Sequence, residues 1–228
     1  MAEVVNFFPL SIFREPLPLD PGLKAQLVEE ILAMERSGSS SKPGWSWTGD
    51  VKGFEFLHRN PHFQPLFARF AAPLKAYLET LGVDSDKLEA HATRAWGTVS
   101  RRGEQIHAHS HKQSHISLVY YLQKPAGSCG ISFLNYDAPN EFAPRLFDDS
   151  MVKAEILRER QQLNAVRVNL NPEEGDLLIF PSKTMHGIVP SNADEERISI
   201  AVDVVVTTKD SKGLEYLLPN QSTWTLLA

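Results

Sequence analysis

The chain has 228 residues, 42% of them hydrophobic and 22% charged, with a net charge of −5, a composition that supports a sizeable buried core and excludes global disorder. Its longest basic cluster is Arg101-Arg102, so the concentrated basic face that phosphate binding needs is missing and nucleic acid is not an expected partner. Cys129 is the single cysteine, which rules out an intrachain disulfide and suits a reducing compartment. The opening residues show no basic leader followed by an apolar core, and no apolar run approaches the ~20 residues of a membrane span. The expected location is the cytoplasm, away from membranes.

In chain order, Pro21–Arg36 sets Leu23, Leu27, Ile31 and Leu32 at helical spacing behind a starting proline. The stretch Ser37–Gly44 is linker-like and leads into an irregular aromatic segment, Trp45-Ser46-Trp47. A second helix is predicted from about Pro61 to Leu81 on the stripe Phe63, Leu66, Phe67, Phe70, Leu74 and Leu78. From about Ala90 the texture turns to short apolar, β-branched and aromatic runs between Gly, Pro and Asn: His91–Val99, Ser117–Leu122, Gly130–Leu134, Ala165–Leu170, Asp176–Pro181, Met185–Val189 and Arg197–Thr207. The mixed-charge segment Asn140–Asn164 reads as a loop or short helix over one end of the sheets. The expectation is one domain over residues 1–228, mainly β with flanking helices: helical support in 1–89 and a jelly-roll core in 90–228.

Four of the eight histidines fall in His107-Ala-His109-Ser-His111-Lys-Gln-Ser-His115. On an extended strand, residues two apart project from the same face, so an H-x-H pair aims two imidazoles at one point. A polar edge strand whose histidines only face water would give the same pattern. Further along, Gly175–His186 reads as a strand, a turn and a histidine opening the next strand, and Arg197-Ile-Ser199 heads an apolar run. In a jelly-roll these strands meet at one open end, where a metal can bridge them. Arg197 and Ser199 share a strand face and can grip a carboxylate with a planar fork and a hydroxyl.

This arrangement resembles the 2-oxoglutarate/Fe(II) dioxygenase superfamily, whose pattern is His-x-Asp/Glu, a distal His and then Arg-x-Ser. More narrowly, it is similar to a bacterial subfamily of 2-oxoglutarate-Fe(II) oxygenases in which H-x-H replaces H-x-D before a Ser-x-Val-Tyr-Tyr strand. The blocks that carry the resemblance are Phe8-Pro9, Gly44-Trp45, Asn60–Leu66, Trp96 with the turn at Gly103, Ser117–Leu122, Phe180-Pro-Ser with His186, and Glu196–Ser199. The resemblance implies a double-stranded β-helix fold with His109, His111 and His186 as Fe(II) ligands. It implies that Arg197 forms the salt bridge to the far carboxylate of 2-oxoglutarate, with the Ser199 hydroxyl and Tyr121 as hydrogen-bonding partners and Trp96 as a cavity wall. On strand parity Ser117, Val119 and Tyr121 could line that cavity while Tyr120 packs outward. The implied activity is O₂- and 2-oxoglutarate-dependent hydroxylation of an unactivated C–H bond, with release of succinate and CO₂. A small molecule, an amino-acid derivative or a peptidyl side chain could be the substrate.

The departure from the usual facial triad of two histidines and a carboxylate is that no acid stands two residues after His109. Three neutral imidazoles remove a negative charge from around the metal, which predicts weaker retention of iron. Asp137 and Glu104 are the nearest acids that could restore a carboxylate. Two further readings stand beside the oxygenase: a cupin-like three-histidine dioxygenase that needs no 2-oxoglutarate, against which Arg-x-Ser argues, and a non-catalytic metal-binding β-sandwich. His107 suits either a supporting hydrogen bond to the ligand pair or solvent, His115 a loop or substrate contact, and His58 and His62 structural positions. Trp45 and Trp47 suit core packing, the cavity mouth or a homodimer contact, and Cys129 is read as incidental.

Overall fold

The computed structural model describes residues 3–211 and 215–227, so residues 1–2, 212–214 and 228 of the expected domain lie outside the described residues. The strands are β1 (Phe13–Pro16), β2 (Trp47–Thr48), β3 (Leu88–Ser100), β4 (Ile106–His109), β5 (Ile116–Gln123), β6 (Ile131–Leu134), β7 (Arg167–Leu170), β8 (Asp176–Pro181), β9 (His186–Ile188) and β10 (Arg197–Thr208). They form two sheets, ordered β1-β8-β5-β10-β3-β2 and β4-β9-β6-β7, with every pairing antiparallel. The expected jelly-roll is therefore present. β1 has no strand texture in sequence; pairing with β8 and a 2.6 Å ion pair between Arg14 and the buried Asp176 hold it in place. The region before residue 90 thus supplies strands as well as helices.

Helix α1 (Pro21–Ser37) begins where predicted because Asp20 caps it, accepting from the backbone N–H groups of Gly22 and Leu23, and Pro21 fills the first turn. Its apolar stripe buries Leu27 and Ile31 completely, each contributing roughly 1.5–3 kcal/mol relative to exposure. Ile31 seats directly on Gly97 of β3, where a Cβ would stand 2.8 Å from Ile31 Cγ2, so glycine sets how closely helix and sheet approach.

The single helix expected over Pro61–Leu81 is instead broken into a 3₁₀ turn at Pro61–Phe63, α2 (Gln64–Phe67), a second turn at Ala68–Phe70 and α3 (Ala71–Thr80). Pro65 and Pro73 have no N–H to offer the carbonyls of Pro61 and Arg69, so the i→i−4 ladder cannot run through. The apolar stripe survives, since Phe63, Leu66, Phe70, Leu74 and Leu78 are all buried. A further short helix, α4 (Asp149–Lys153), lies within the segment expected to be loop or short helix. No helix among the described residues is long and apolar enough to cross a membrane.

Strand alternation divides the interior. Leu118, Tyr120 and Leu122 of β5, Ile198, Ile200 and Val202 of β10, and Ala95 and Val99 of β3 face the helices and join Leu27, Ile31, Phe63 and Leu66 in the main core. Tyr120 does turn away from the inter-sheet space, but into this packed layer, where its hydroxyl donates to the Leu17 carbonyl at 2.9 Å. The opposite parity faces the four-stranded sheet, where Val119, Tyr121, Ile131, Phe133, Leu178 and Phe180 make a smaller cluster. Beyond that cluster the space between the sheets stays open as a cavity of about 390 Å³.

Candidate metal centre

Three of the predicted histidines meet in this cavity. β4 ends at His109, whose direct cross-strand partner on β9 is His186. The two strands come together closely at Gly187, where a Cβ would lie 2.7 Å from the Ile106 carbonyl oxygen. His111 lies beyond the end of β4, not on it, and its N–H donates to the Ser182 carbonyl at 2.9 Å, tying the loop to the turn before β9. Ring centroids are 5.1 Å apart for His109–His111, 4.6 Å for His109–His186 and 5.2 Å for His111–His186. One ligand-capable atom from each lies within 4.8 Å of the other two.

The outer ring nitrogens test whether this cluster suits a metal. His109 Nδ1 is 2.8 Å from the His107 carbonyl, His186 Nδ1 is 2.8 Å from the Thr184 carbonyl, and His111 Nδ1 is 2.5 Å from Asp203 Oδ1. A carbonyl or carboxylate oxygen only accepts, so each Nδ1 carries a proton and Nε2 is the atom each ring can offer a metal. Histidines that ligate metals are held in the same way. Burial pushes His186 down to about 3, further assisted by the neighbouring imidazoles and opposed by its bond to Thr184. Burial likewise lowers His109. Both rings are therefore neutral near pH 7 and able to donate to a divalent cation.

The same cavity is lined by Tyr121, Arg197 and Ser199. Ser199 pairs across the ladder with Tyr121 on β5, and Arg197 is only 1% exposed. Its guanidinium carbon stands 5.0 Å from the centre of the Tyr121 ring. No described carboxylate forms an ion pair with it, and Arg197 Nε, Arg197 Nη1 and the Tyr121 hydroxyl are buried with no hydrogen-bond partner. Burial raises the Tyr121 phenol, partly offset by the Arg197 charge, so that hydroxyl keeps its proton. A buried cation and three unmet polar atoms have the chemistry to take an anion that accepts hydrogen bonds.

The remaining candidates sort clearly. Ser117 and Val119 line the cavity as strand parity requires, and so do Trp45 and Trp96. Trp96 stacks on His111 at 5.6 Å and an interplanar angle of 25°, whereas Trp47 is buried in the main core. His107 is exposed, packs its ring edgewise on Trp45 at 4.2 Å, and supports His109 through its backbone carbonyl and not its side chain. His115 is turned from the site, accepting from the Val206 N–H. Glu104 accepts from the Arg101 N–H in a tight turn and Asp137 is exposed after β6, so neither acid joins the cluster. The residue that sequence reasoning missed is Asp203, wholly buried on β10 and bonded to His111.

Residues 94–203 match the model of a family described as "Putative 2OG-Fe(II) oxygenase". Nothing among curated protein sequences matches the chain. Among solved structures, the fold is similar to HygX from Streptomyces hygroscopicus with nickel, 2-oxoglutarate and hygromycin B bound, at a TM-score of 0.53 and 11% identity over 86% of this chain and 82% of that one. The non-heme alpha ketoglutarate dependent epimerase SnoN from nogalamycin biosynthesis aligns at a TM-score of 0.56 and 13% identity, over 95% and 87% of the two chains. A Pseudomonas putida prolyl-4-hydroxylase aligns at 0.52 and 14%, over 86% and 92%. At such identities the likeness establishes the fold, while the family match spans all three histidines, Tyr121, Arg197, Ser199 and Asp203. Residues 94–203 thus match the model of that oxygenase family, and the chain carries the double-stranded β-helix fold of the solved structures it resembles.

Proposed function

We propose that the protein is an oxidoreductase in which His109, His111 and His186 bind Fe(II) through Nε2, while Arg197, Ser199 and Tyr121 bind the far carboxylate of 2-oxoglutarate. When bound, iron and 2-oxoglutarate together supply the oxidising chemistry, consuming O₂ and releasing succinate and CO₂ as a C–H bond of the substrate is hydroxylated. The observation that carries this reading is Arg197, a buried cation whose Nε and Nη1 lack partners inside the cavity that holds three available imidazoles. A diacid spanning the two groups meets both needs at once. The cupin-like alternative would leave Arg197 without an anion, and a non-catalytic sandwich would leave both features without a purpose.

The chain's own groups would then act by position. Arg197 and Ser199, fixed by the β10–β5 and β10–β3 ladders, orient the diacid, and the Tyr121 hydroxyl donates beside them. Trp96, Ile106 and Ile188 give the cavity an apolar wall that limits water, and Trp45 borders it from the segment before β2. A small molecule or an amino-acid or peptidyl side chain fits the remaining volume. The neighbouring structures include an epimerase beside a hydroxylase, so the outcome of oxidation is fixed by product mass. The test is an anaerobic titration of the metal-free protein with Fe(II) and then 2-oxoglutarate. A visible metal-to-ligand band is expected only with both. Its absence, or O₂ uptake without succinate, would refute the assignment.

A further inference from the structure

Of the three imidazoles, two donate Nδ1–H to backbone carbonyls two residues earlier in the chain, His107 and Thr184. His111 alone donates to a carboxylate, at 2.5 Å from Asp203 Oδ1. Asp203 is fully buried, and everything around it offers protons: the Ser114 hydroxyl is 3.1 Å from Oδ1, Gln113 Nε2 is 3.0 Å from Oδ2, and Arg94 Nη1 is 3.9 Å from Oδ2. Arg94 is shared with Asp50, at 3.6 Å, and lies over the Trp96 ring, so it is only a partial counter-charge.

We infer that Asp203 is the positioning residue of the metal centre and supplies, through His111, the negative charge that a three-histidine site lacks. The inference rests on the iron-oxygenase reading above and deepens it. A doubly charged cation, a dianionic diacid and three neutral imidazoles sum to zero charge. Asp203 brings the assembly to one net negative charge, as a directly ligated carboxylate would. It does so one hydrogen bond further out, by drawing the Nδ1 proton of His111 toward itself and making Nε2 a stronger donor to metal. The same bond, with Trp96 stacked on the ring, fixes where Nε2 points. The other two histidines, bonded to neutral carbonyls, gain orientation but no charge.

Asparagine and alanine at this position separate the two contributions. Asp203→Asn keeps an oxygen that can accept from His111 but removes the charge, and Asp203→Ala removes both. Affinity of the metal-free full chain for Co(II), measured by competition with a chromophoric chelator, is expected to fall roughly 10- to 100-fold in Asp203→Asn, and at least as far in Asp203→Ala. Folding is checked by thermal melting and circular dichroism. A folded Asp203→Asn protein that binds Co(II) within twofold of wild type overturns the charge role, whatever alanine does. Should neither variant fold, the wild-type protein loaded with diamagnetic Zn(II) decides the matter by ¹⁵N-histidine NMR. One Nδ1–H proton, assigned to His111, should resonate far downfield of those of His109 and His186. Three similar resonances would overturn the inference. Wild-type protein that takes up no Co(II) would instead refute the metal-centre assignment on which it stands.

Discussion

Arg197→Met tests the proposed diacid site, because it should make the free protein more stable and weaken its gain from the diacid. An ionic group left buried without its partner costs a protein about 3–5 kcal/mol. The Tyr121 ring, 5.0 Å from the guanidinium carbon, returns about 0.5–2 kcal/mol of that. Methionine fills the site with an unbranched apolar chain, so thermal unfolding of the metal-free variant should show a gain of roughly 1–4 kcal/mol, reduced by whatever volume methionine leaves empty. Binding should move the other way. Two hydrogen bonds from the now missing Nε and Nη1 to a carboxylate contribute about 1.5–3 kcal/mol each, so 2-oxoglutarate affinity should drop by at least roughly two orders of magnitude. Iron affinity should change far less. The assay is melting with and without the diacid in the presence of metal, alongside the anaerobic spectral titration. Wild type at 100 times its dissociation constant gains about 2.7 kcal/mol from the ligand, and the variant should gain almost nothing at the same concentration. A variant that is destabilised when free and still binds 2-oxoglutarate within twofold of wild type would refute the reasoning.

Other perturbations probe separate parts of the fold. His186→Ala should abolish stoichiometric Fe(II) binding, read by metal analysis after desalting, and full metal content in that variant would remove the residue from the site. Gly187→Ala touches no imidazole, yet its methyl would meet the Ile106 carbonyl at 2.7 Å. It should push β9 from β4, weakening metal binding and lowering stability by about 1–3 kcal/mol; unchanged metal affinity would contradict the close approach. Burial pushes Tyr120 up to about 12, so the folded protein holds this proton more tightly than the unfolded chain does. That contribution is complete below about pH 10 and is lost as pH rises from 10 toward 12, where the unfolded state deprotonates first. Tyr120→Phe should cost about 1 kcal/mol at neutral pH through the lost bond to Leu17 and flatten the alkaline decline in a pH series of melts. An equally steep decline in the variant would assign it to another group.

Much of this architecture was readable from residue pattern. Each run expected after Ala90 became a strand, because alternation of β-branched and aromatic residues between Gly and Pro reports the two faces of a sheet. The distal histidine and Arg-x-Ser were equally visible, since they sit at the openings of such runs. The helix break at Ala68–Phe70 is also written locally, in Pro65 and Pro73, but the apolar stripe runs unbroken across it and hides it. Local sequence could not report β1, a strand made by its partner and by Arg14. The H-x-H pair was read as two residues on one strand, whereas β4 ends at His109 and the loop delivers His111. Asp203 is the instructive omission. It is the one charge in the run Ile198–Val206 and shares the parity of Arg197 and Ser199, so a polar partner in the interior was announced, but only the fold identifies it as His111.

β10 presents Arg197 and Ser199 near its start and Asp203 further on, all on one side, so a single ribbon of chain serves both ends of the cavity. Inserting or deleting one residue between Ser199 and Val202 would invert the sidedness of everything that follows, sending Asp203 into the greasy layer beneath the helices while Arg197 stayed behind. Length variation among chains of this fold should therefore spare this stretch and gather in the connections around it. Reshaping the cavity has room in the segment flanking Trp45, and almost none here.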